Sequence, residues 1–207
     1  MIRQQYKDLI IEVLNEPTFR IDSVDNLFDY ERRYLAYDDL KYPSSYHGIK
    51  IIKDKKAIKS CIVIGSDGQT GISEKSFLID NDQLLICCSN TLFCLALPDL
   101  DLKWKTQADP ITCFQIFKLH DYYITHGELM ITKVDKNGIV NWEFGGADSF
   151  VSTDAEEGLV IENDGILVTD FSKTKYKIDF DGKLLWDTTK DKKQPQSGCF
   201  FSPFSYL

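Results

Sequence analysis

Three residues of the types that support nucleophilic catalysis occupy one repeated place in this chain of 207 residues, sixteen positions before a tryptophan. They are Cys88, His126 and Asp170. Together they could act as a nucleophile, a base and an orienting group. Such chemistry needs hydrogen-bond contact at about 3 Å, whereas equivalent points on neighbouring repeats of a rigid fold lie much farther apart. We therefore assign no catalytic residue and expect a protein that is not an enzyme.

A second polar set recurs fourteen positions before the same tryptophans. It consists of Asn90, Glu128 and Ser172. If the repeats superpose, both sets lie at equivalent hairpin turns and surround one rim of the molecule, where loops on a rigid scaffold often carry recognition. Polar residues are also frequent in turns for structural reasons alone. We interpret the pattern as a partner-binding rim, formed by His126, Glu128, Asp170, Asn90 and Ser172.

The stretch CIVIGSDGQTGISEKSFLID at 61–80 has glycines spaced like those of a phosphate-binding loop. Such a loop requires a Lys-Ser or Lys-Thr pair, followed by a helix whose N-terminus faces the anion. Here Gly71 is followed by ISEK and then by the strand-like run 76–79. The glycines therefore predict a turn between strands, and we expect no cofactor.

Metal-ligating residues are present, but their spacing does not match a ligand pattern. The last two of the three histidines, His120 and His126, lie six positions apart with a predicted strand between them. None of the six cysteines forms a C-x-x-C pair, so the sequence favours neither a zinc site nor a disulfide framework. The turns DKNG and DFDG lack the glutamate that completes a calcium loop. We predict no metal site.

Three tryptophans indicate the elements that must position these residues. They follow one another at intervals of 38 and 44 residues: Trp104, Trp142 and Trp186. A tight turn precedes the strand that ends in each tryptophan, and two of these turns contain a glycine four positions before it, Gly138 or Gly182. Asn-Gly and Asp-Gly favour hairpins because both residues tolerate a positive φ angle. We predict structural roles for all five residues, with the indole rings wedged between neighbouring units.

Before each of these tight turns come an opening turn and two further strand-like runs. The pattern of each unit therefore predicts four short antiparallel strands. The units lie near 76–107, 114–146 and 156–189. Strands that are apolar on both faces, such as 91–97, are typical of sheets stacked face to face. The alternative is a β-sandwich in which the tryptophans are evenly spaced by chance.

The phrase G-x-h-x-W, in which h is an apolar residue, ends two of the units, at 138–142 and 182–186. It resembles the tryptophan-docking repeats of PQQ-like and WD40-like β-propellers, over residues 76–190. The stretch HGELMITKVDKNGIVNWEFGGADSFV is also similar to a segment of small bacterial proteins with interaction or immunity roles. The resemblance implies a β-propeller fold and a protein-binding role, and it brings no catalytic motif.

We therefore expect a single all-β domain over residues 1–207, β-propeller-like, with about four to five short four-stranded antiparallel sheets. Its repeat region is 47–192. Within it, the runs 48–52 and 58–64 predict two strands joined through KDKK, which could begin a further blade.

The two ends of the chain do not fit the repeat. Residues 1–46 are expected to form an irregular N-terminal segment. The run 2–14 has a helical period, but 9–14 could equally be a strand that leads to the Pro17 turn. The tail 193–207 is rich in aromatic residues and could close the ring or cover an exposed edge.

Charge and composition narrow the classes of partner. The chain has 24 Lys and Arg against 32 Asp and Glu, a formal charge of −8, which repels nucleic-acid phosphates. No run approaches the ~20 apolar residues of a membrane span. The N-terminus lacks the pattern of a signal peptide, so we expect a cytoplasmic protein that binds neither nucleic acid nor membrane.

Two functional hypotheses follow. The first is a non-enzymatic binding protein, for example of the inhibitor or immunity type, whose partner is a basic protein. The alternative is a small sugar-binding protein or enzyme with a site on one rim, which would use aromatic residues. The candidates for that site are Tyr122, Tyr123, Trp142 and Phe144.

Overall fold

The computed structural model describes residues 1–151 and 158–189, which form seventeen β-strands in four sheets. The first sheet, which we call the N-terminal sheet, has five strands. They are β1 Ile2–Tyr6, β2 Leu9–Asn15, β3 Arg32–Leu35, β4 Pro43–Lys53 and β5 Lys56–Ser66. Their spatial order is β1-β2-β4-β5-β3, and β3 pairs with β5 in parallel, whereas the other pairs are antiparallel.

Three four-stranded sheets follow, and each is an antiparallel meander whose spatial order equals the chain order. The first blade consists of β6 Phe77–Asp80, β7 Gln83–Cys88, β8 Thr91–Ala96 and β9 Leu102–Gln107. The second blade consists of β10 Cys113–Leu119, β11 Tyr122–Gly127, β12 Met130–Asp135 and β13 Val140–Gly145. The third blade consists of β14 Leu159–Glu162, β15 Gly165–Thr169, β16 Lys175–Ile178 and β17 Leu184–Asp187.

The turns before the last strand of the second and third blades have the same hydrogen bonds. The Asp135 carboxylate accepts from the backbone N–H groups two and four positions later, at 2.8 and 2.9 Å. Asp179 does the same at 3.0 and 2.9 Å. Gly138 and Gly182, between these donors, have φ angles of +84° and +82°. A residue with a side chain would adopt this conformation at a cost of roughly 1–2 kcal/mol.

The four sheets pack face to face in chain order, and three apolar clusters fill the spaces between them. Fully buried members, in order along the stack, include Ile11, Ile86, Leu85, Tyr123, Ile124 and Ile166. Neighbouring residues of one strand, such as Leu85 and Ile86, point to opposite faces and belong to different clusters. The expected fold class, all-β and β-propeller-like with four-stranded antiparallel sheets, is confirmed.

The N-terminal segment is strand-rich, although 16–31 and 36–42 have no regular structure. Of the two alternatives for residues 9–14, the strand is correct and the helix is wrong. Leu9, Ile11 and Val13 alternate onto the buried face of β2, so a period of two describes the run better than a helical one. Long-range pairing of β2 with β4 completes the strand.

The segment between β2 and β3 covers the outer face of the N-terminal sheet. Phe19 and Tyr30 from this segment pack on Ile62 and Ile64 of β5. The Tyr30 hydroxyl also donates to the carboxylate of Glu16. One end of the stack is therefore closed by the chain itself.

Two of the sequence-based expectations fall outside the described residues. They are the beginning of the third predicted unit, at 156–157, and the aromatic tail 193–207 with Cys199. Within residues 1–151 and 158–189, no helix is long and apolar enough to span a membrane. The same ranges contain no group of three or more His, Cys, Asp or Glu side chains arranged to hold a metal ion.

Candidate binding surface

The turns that carry the predicted partner-binding residues lie beside the linkers that connect successive sheets. We call the turns 89–90, 127–129 and 170–174, together with the linkers 66–76, 108–112 and 146–151, the rim. A backbone hydrogen bond between a turn and a linker recurs in each blade. In the first, the N–H of Cys113, just after the linker 108–112, donates to the carbonyl of Ser89 at 2.7 Å. The pairs Glu128–Thr112 and Phe171–Ser149 have the same 2.7 Å separation.

Each residue fourteen positions before a tryptophan contacts the linker that precedes its blade or the next. Asn90 donates from Nδ2 to Oδ2 of Asp67 at 2.8 Å. Thr112 Oγ1 donates to Oε2 of Glu128 at 3.0 Å. The Ser172 hydroxyl donates to the carboxylate of Asp148. The structure thus joins each of these three residues to a linker, and among the described residues no hydrogen bond joins one of the three to another.

Two of the predicted partner-binding residues are buried supports of the rim. Asn90 is 1% exposed and Asp170 is 2% exposed. Asn90 also donates to Tyr37 Oη at 2.6 Å. The Asp170 carboxylate accepts from the Thr174 backbone at 2.7 Å and from Tyr176 Oη at 2.8 Å. Their side chains hold turns together and expose almost no surface.

His126 is buried in the same way. Its Nε2 lies 3.0 Å from the Phe150 carbonyl oxygen, and its Nδ1 lies 3.3 Å from Oε1 of Gln115. Burial lowers the pKa of His126 to about 4, so the imidazole is neutral near pH 7. A neutral ring suits the contact with the carbonyl, because one ring nitrogen carries a proton to donate.

The remaining predicted residues differ in exposure. Glu128 is half-buried and Ser172 is exposed, so both present polar atoms at the rim. Cys88 is fully buried, and burial raises the pKa of its thiol above the usual range. A buried, protonated thiol is a poor nucleophile.

Asp109, which the sequence patterns did not single out, organises the rim. Its carboxylate accepts four backbone hydrogen bonds at 2.7–2.9 Å, from N–H groups of the linker 108–112 and of residues 129 and 130. A Cβ atom at Gly127 would lie 2.3 Å from Asp109 Oδ2, so only glycine lets the Asp109 side chain lie directly on the backbone there. The signal in the sequence was the Asp109-Pro110 dipeptide, which favours the start of a turn.

The glycines of the stretch 61–80 serve close packing at the same end of the molecule. A Cβ atom at Gly65 would lie 2.6 Å from the carbonyl oxygen of Cys88, and one at Gly68 would lie 1.7 Å from Thr112 Oγ1. Gly68 also donates its N–H to the Ile111 carbonyl at 3.0 Å. The linker 66–76 is therefore packed against the next linker.

The tryptophans of the first two blades dock on the turns of the following blade. Trp104 Nε1 donates to the Lys136 carbonyl at 2.9 Å, and Trp142 Nε1 donates to the Phe180 carbonyl at 3.1 Å. A Cβ atom at the glycine two positions after each acceptor would lie 2.7 or 2.6 Å from an indole carbon. The glycines therefore allow the indole to lie directly on the turn.

The aromatic residues proposed for a sugar site are used in packing. Tyr123 is 1% exposed and donates to Asp80 Oδ2 at 3.0 Å. Trp142 and Phe144 pack against the cluster between the second and third blades. These side chains do not form an open aromatic platform.

An exposed apolar and acidic loop contains none of the rim residues that the patterns selected. We call residues 18–29 the acidic loop. Val24 is 97% exposed and Leu27 is 93% exposed, the highest values among the large apolar residues of the described ranges. Three exposed aspartates accompany them: Asp22, Asp25 and Asp29.

Hydrogen bonds hold the acidic loop in a defined shape. Asn26 Nδ2 donates to the carbonyls of Arg20 at 2.7 Å and Ser23 at 2.9 Å, while its Oδ1 accepts from the Arg20 N–H at 2.8 Å. Phe28 stacks edge-on against Tyr30, and the Lys50 ammonium lies 3.6 Å from the Phe28 ring centre. The exposed aliphatic side chains are therefore presented by an anchored loop.

Comparison with known proteins shows similarity in the fold alone. No family model and no curated protein matches the sequence. The chain is similar to the solved structure of BamB from Moraxella catarrhalis, with 14% identity and a TM-score of 0.45, over 70% of this chain and 43% of that one. It is also similar to the computationally designed Ika8 protein, with 9% identity and a TM-score of 0.50, over 89% of this chain and 60% of that one.

The chain thus spans about half the length of the solved structures that it matches. The class that its four stacked sheets define, three of them four-stranded antiparallel meanders, is an all-β, β-propeller-like protein.

Proposed function

We propose that this chain is a non-enzymatic binding protein of the inhibitor or immunity type, which recognises a basic protein in the cytoplasm through its acidic loop. The observation that supports this proposal is the near-complete exposure of Val24 and Leu27 on an anchored loop. Exposed apolar residues rimmed by polar ones mark interaction sites.

Folding gives no reason for these two side chains to be aliphatic. Other apolar residues of the same segment, Phe19 and Tyr30, are buried against the N-terminal sheet. Burial of Val24 and Leu27 by a partner would contribute roughly 1.5–3 kcal/mol each. The apolar area of Val24 and Leu27 is therefore available to a partner, whereas that of Phe19 and Tyr30 is buried in the core.

The charges around the loop favour a basic partner. Asp25 lies between the two aliphatic residues, and Asp22 and Asp29 flank them. Arg33 contacts Asp22 at 2.7 Å and Asp29 at 3.7 Å, which orients these carboxylates at the loop's base. With a net charge of −8 on the whole chain, electrostatic attraction would accelerate association with a basic protein and repel nucleic acid.

The experiment compares three immobilised proteins in lysate of the cells that produce this chain. They are the wild type, the double variant Val24→Ser/Leu27→Ser, and the control Ile139→Ser, which alters another exposed aliphatic residue, 60% exposed, on the second blade. We expect the wild type and the control to capture one basic protein, and the double variant to bind it at least about 140-fold more weakly, equivalent to about 3 kcal/mol.

The purified partner is then titrated by calorimetry at low and high salt. Binding should weaken as salt rises, because screening reduces attraction between the exposed charges. An acidic partner, affinity independent of salt, or equal capture by the double variant and the control would refute the proposal.

A further inference from the structure

Each of the three blades has a row of side chains on the face that points away from the preceding sheet in the stack, and the three rows are equivalent. Cross-strand pairing defines each row, because directly paired residues lie on the same face of a sheet. In the first blade the row is Leu78, Leu85, Cys94 and Trp104. In the second blade it is Phe117, Ile124, Lys133 and Trp142. In the third blade it is Val160, Leu167, Lys177 and Trp186.

The first two rows are covered by the following blade. Leu85 and Cys94 are fully buried in the cluster between the first and second blades, and Trp104 packs against it. In the second blade, Lys133 Nζ donates to the Phe180 carbonyl at 2.8 Å, the same oxygen that accepts from Trp142. Each row thus combines apolar burial with hydrogen bonds to the next turn.

The third row has no following blade among residues 1–151 and 158–189; Lys177 is buried, but Val160 and Leu167 are only half-buried. Trp186 is 48% exposed, and its indole N–H makes no hydrogen bond to another described residue. Lys177, at the position of Lys133, turns instead to its own blade and contacts Asp164 at 2.6 Å and Glu162. A cavity of about 290 Å³ runs along β17, lined by Leu184, Leu185, Trp186 and Asp187.

We infer that the aromatic tail, residues 193–207 of this chain, covers the row ending in Trp186 and takes the place of a following blade. Thr189, the last described residue, comes two positions after β17, so the described part of the chain ends beside the row. The 18 residues from 190 to 207 can reach roughly 60 Å when extended. The row itself crosses four strands, which is about 15 Å.

The composition of the tail matches the surface. It contains Phe200, Phe201, Phe204 and Tyr206 for the apolar row, and Gly198 as the residue that would allow close approach to the indole. The opposite end of the stack is covered by Phe19 and Tyr30 of the same chain, so a second copy has no free sheet face to offer there. Attachment beside the row also gives the tail a high effective concentration.

The test uses the full chain labelled with 5-fluorotryptophan and measures three ¹⁹F resonances, assigned by single Trp→Phe variants. A soluble gadolinium chelate reports the exposure of each ring. The comparison is a chain that stops after Thr189. We expect the shorter chain to lose protection at Trp186 and to shift that resonance, while the Trp104 and Trp142 resonances stay unchanged. Addition of the peptide 190–207 should restore both signals.

The full-length variant Phe200→Ser/Phe201→Ser provides the same measurement if the shorter chain does not fold. It should expose Trp186 without altering the other two resonances. Equal exposure of Trp186 in all these proteins would overturn the inference. Protection that disappears on dilution, and that the tail variants leave intact, would also overturn it, because it would indicate cover by a second copy.

Discussion

Substitution of Gly138 by alanine tests the docking of one blade on the next. The new Cβ would lie 2.7 Å from Cδ2 and Cε3 of Trp104, and the residue would remain at a φ angle of +84°. Carbon atoms in favourable contact are about 3.5–4.0 Å apart. The indole must therefore move by roughly 1 Å, and its hydrogen bond to the Lys136 carbonyl would stretch or break.

The expected cost combines three contributions. The left-handed backbone costs alanine roughly 1–2 kcal/mol, the lost hydrogen bond roughly 0.5–1.5 kcal/mol, and the disturbed packing of the ring a comparable amount. We expect a loss of about 2–5 kcal/mol in the free energy of unfolding. For a chain of this size that corresponds to a fall in Tm of about 4–20 °C.

The measurement is urea unfolding followed by tryptophan fluorescence. The matched control is Gly71→Ala, since the nearest atom to its Cβ would be Asn15 Nδ2 at 3.7 Å, and its φ is not in the left-handed region. Gly182→Ala should resemble Gly138→Ala, because its Cβ would lie 2.6 Å from Trp142. A loss for Gly138→Ala within about 0.5 kcal/mol of the control would refute the steric reasoning.

Two further predictions concern buried titratable groups. Burial lowers the pKa of His47 and His126 from 6.5 to about 4, so the unfolded chain binds more protons between these values. The free energy of unfolding should be highest above pH 6.5 and fall toward pH 4 by about 3 kcal/mol per histidine. In urea unfolding, His126→Gln should lose less stability between these pH values than the wild type, and the control is the exposed His120→Gln. Equal losses in His126→Gln and the control would contradict the assignment. Burial also raises the pKa of Cys61 and Cys88, so a thiol reagent followed by peptide mass spectrometry should label them only on unfolding, and rapid labelling of the folded protein would contradict this.

Local sequence signals were sufficient to predict the blades. Asn137-Gly138 and Asp181-Gly182 specify tight turns through residues that tolerate positive φ angles, and the tryptophan spacing carries the repeat. The N-terminal sheet was harder to predict because β3 pairs in parallel with β5, far from it in sequence. Such long-range pairing leaves no local pattern that separates a strand from a loop.

The predicted rim shows the limits of residue type as a guide to function. Polar residues at turns were expected to be exposed, but Asn90, His126 and Asp170 are buried. Linkers contact the first two, and Tyr176 of the same blade contacts Asp170. Conversely, Val24 and Leu27 would be assigned to a core by their apolarity. Whether a side chain at a turn is covered depends on tertiary contacts that a single sequence does not encode locally.

The parallel pairing of β3 has a consequence for biosynthesis. Tyr34 of β3 donates its hydroxyl proton to the Leu100 carbonyl at 2.9 Å, which joins the N-terminal sheet to the first blade. Strand β3, although it is synthesised early, can therefore pair only after β5 has been made, and Tyr34 can form its hydrogen bond only after the turn at residue 100 has been made. As the ribosome releases the chain from its N-terminus, this corner is assembled only after residue 100 has emerged, whereas each later meander can form as soon as its own four strands are available.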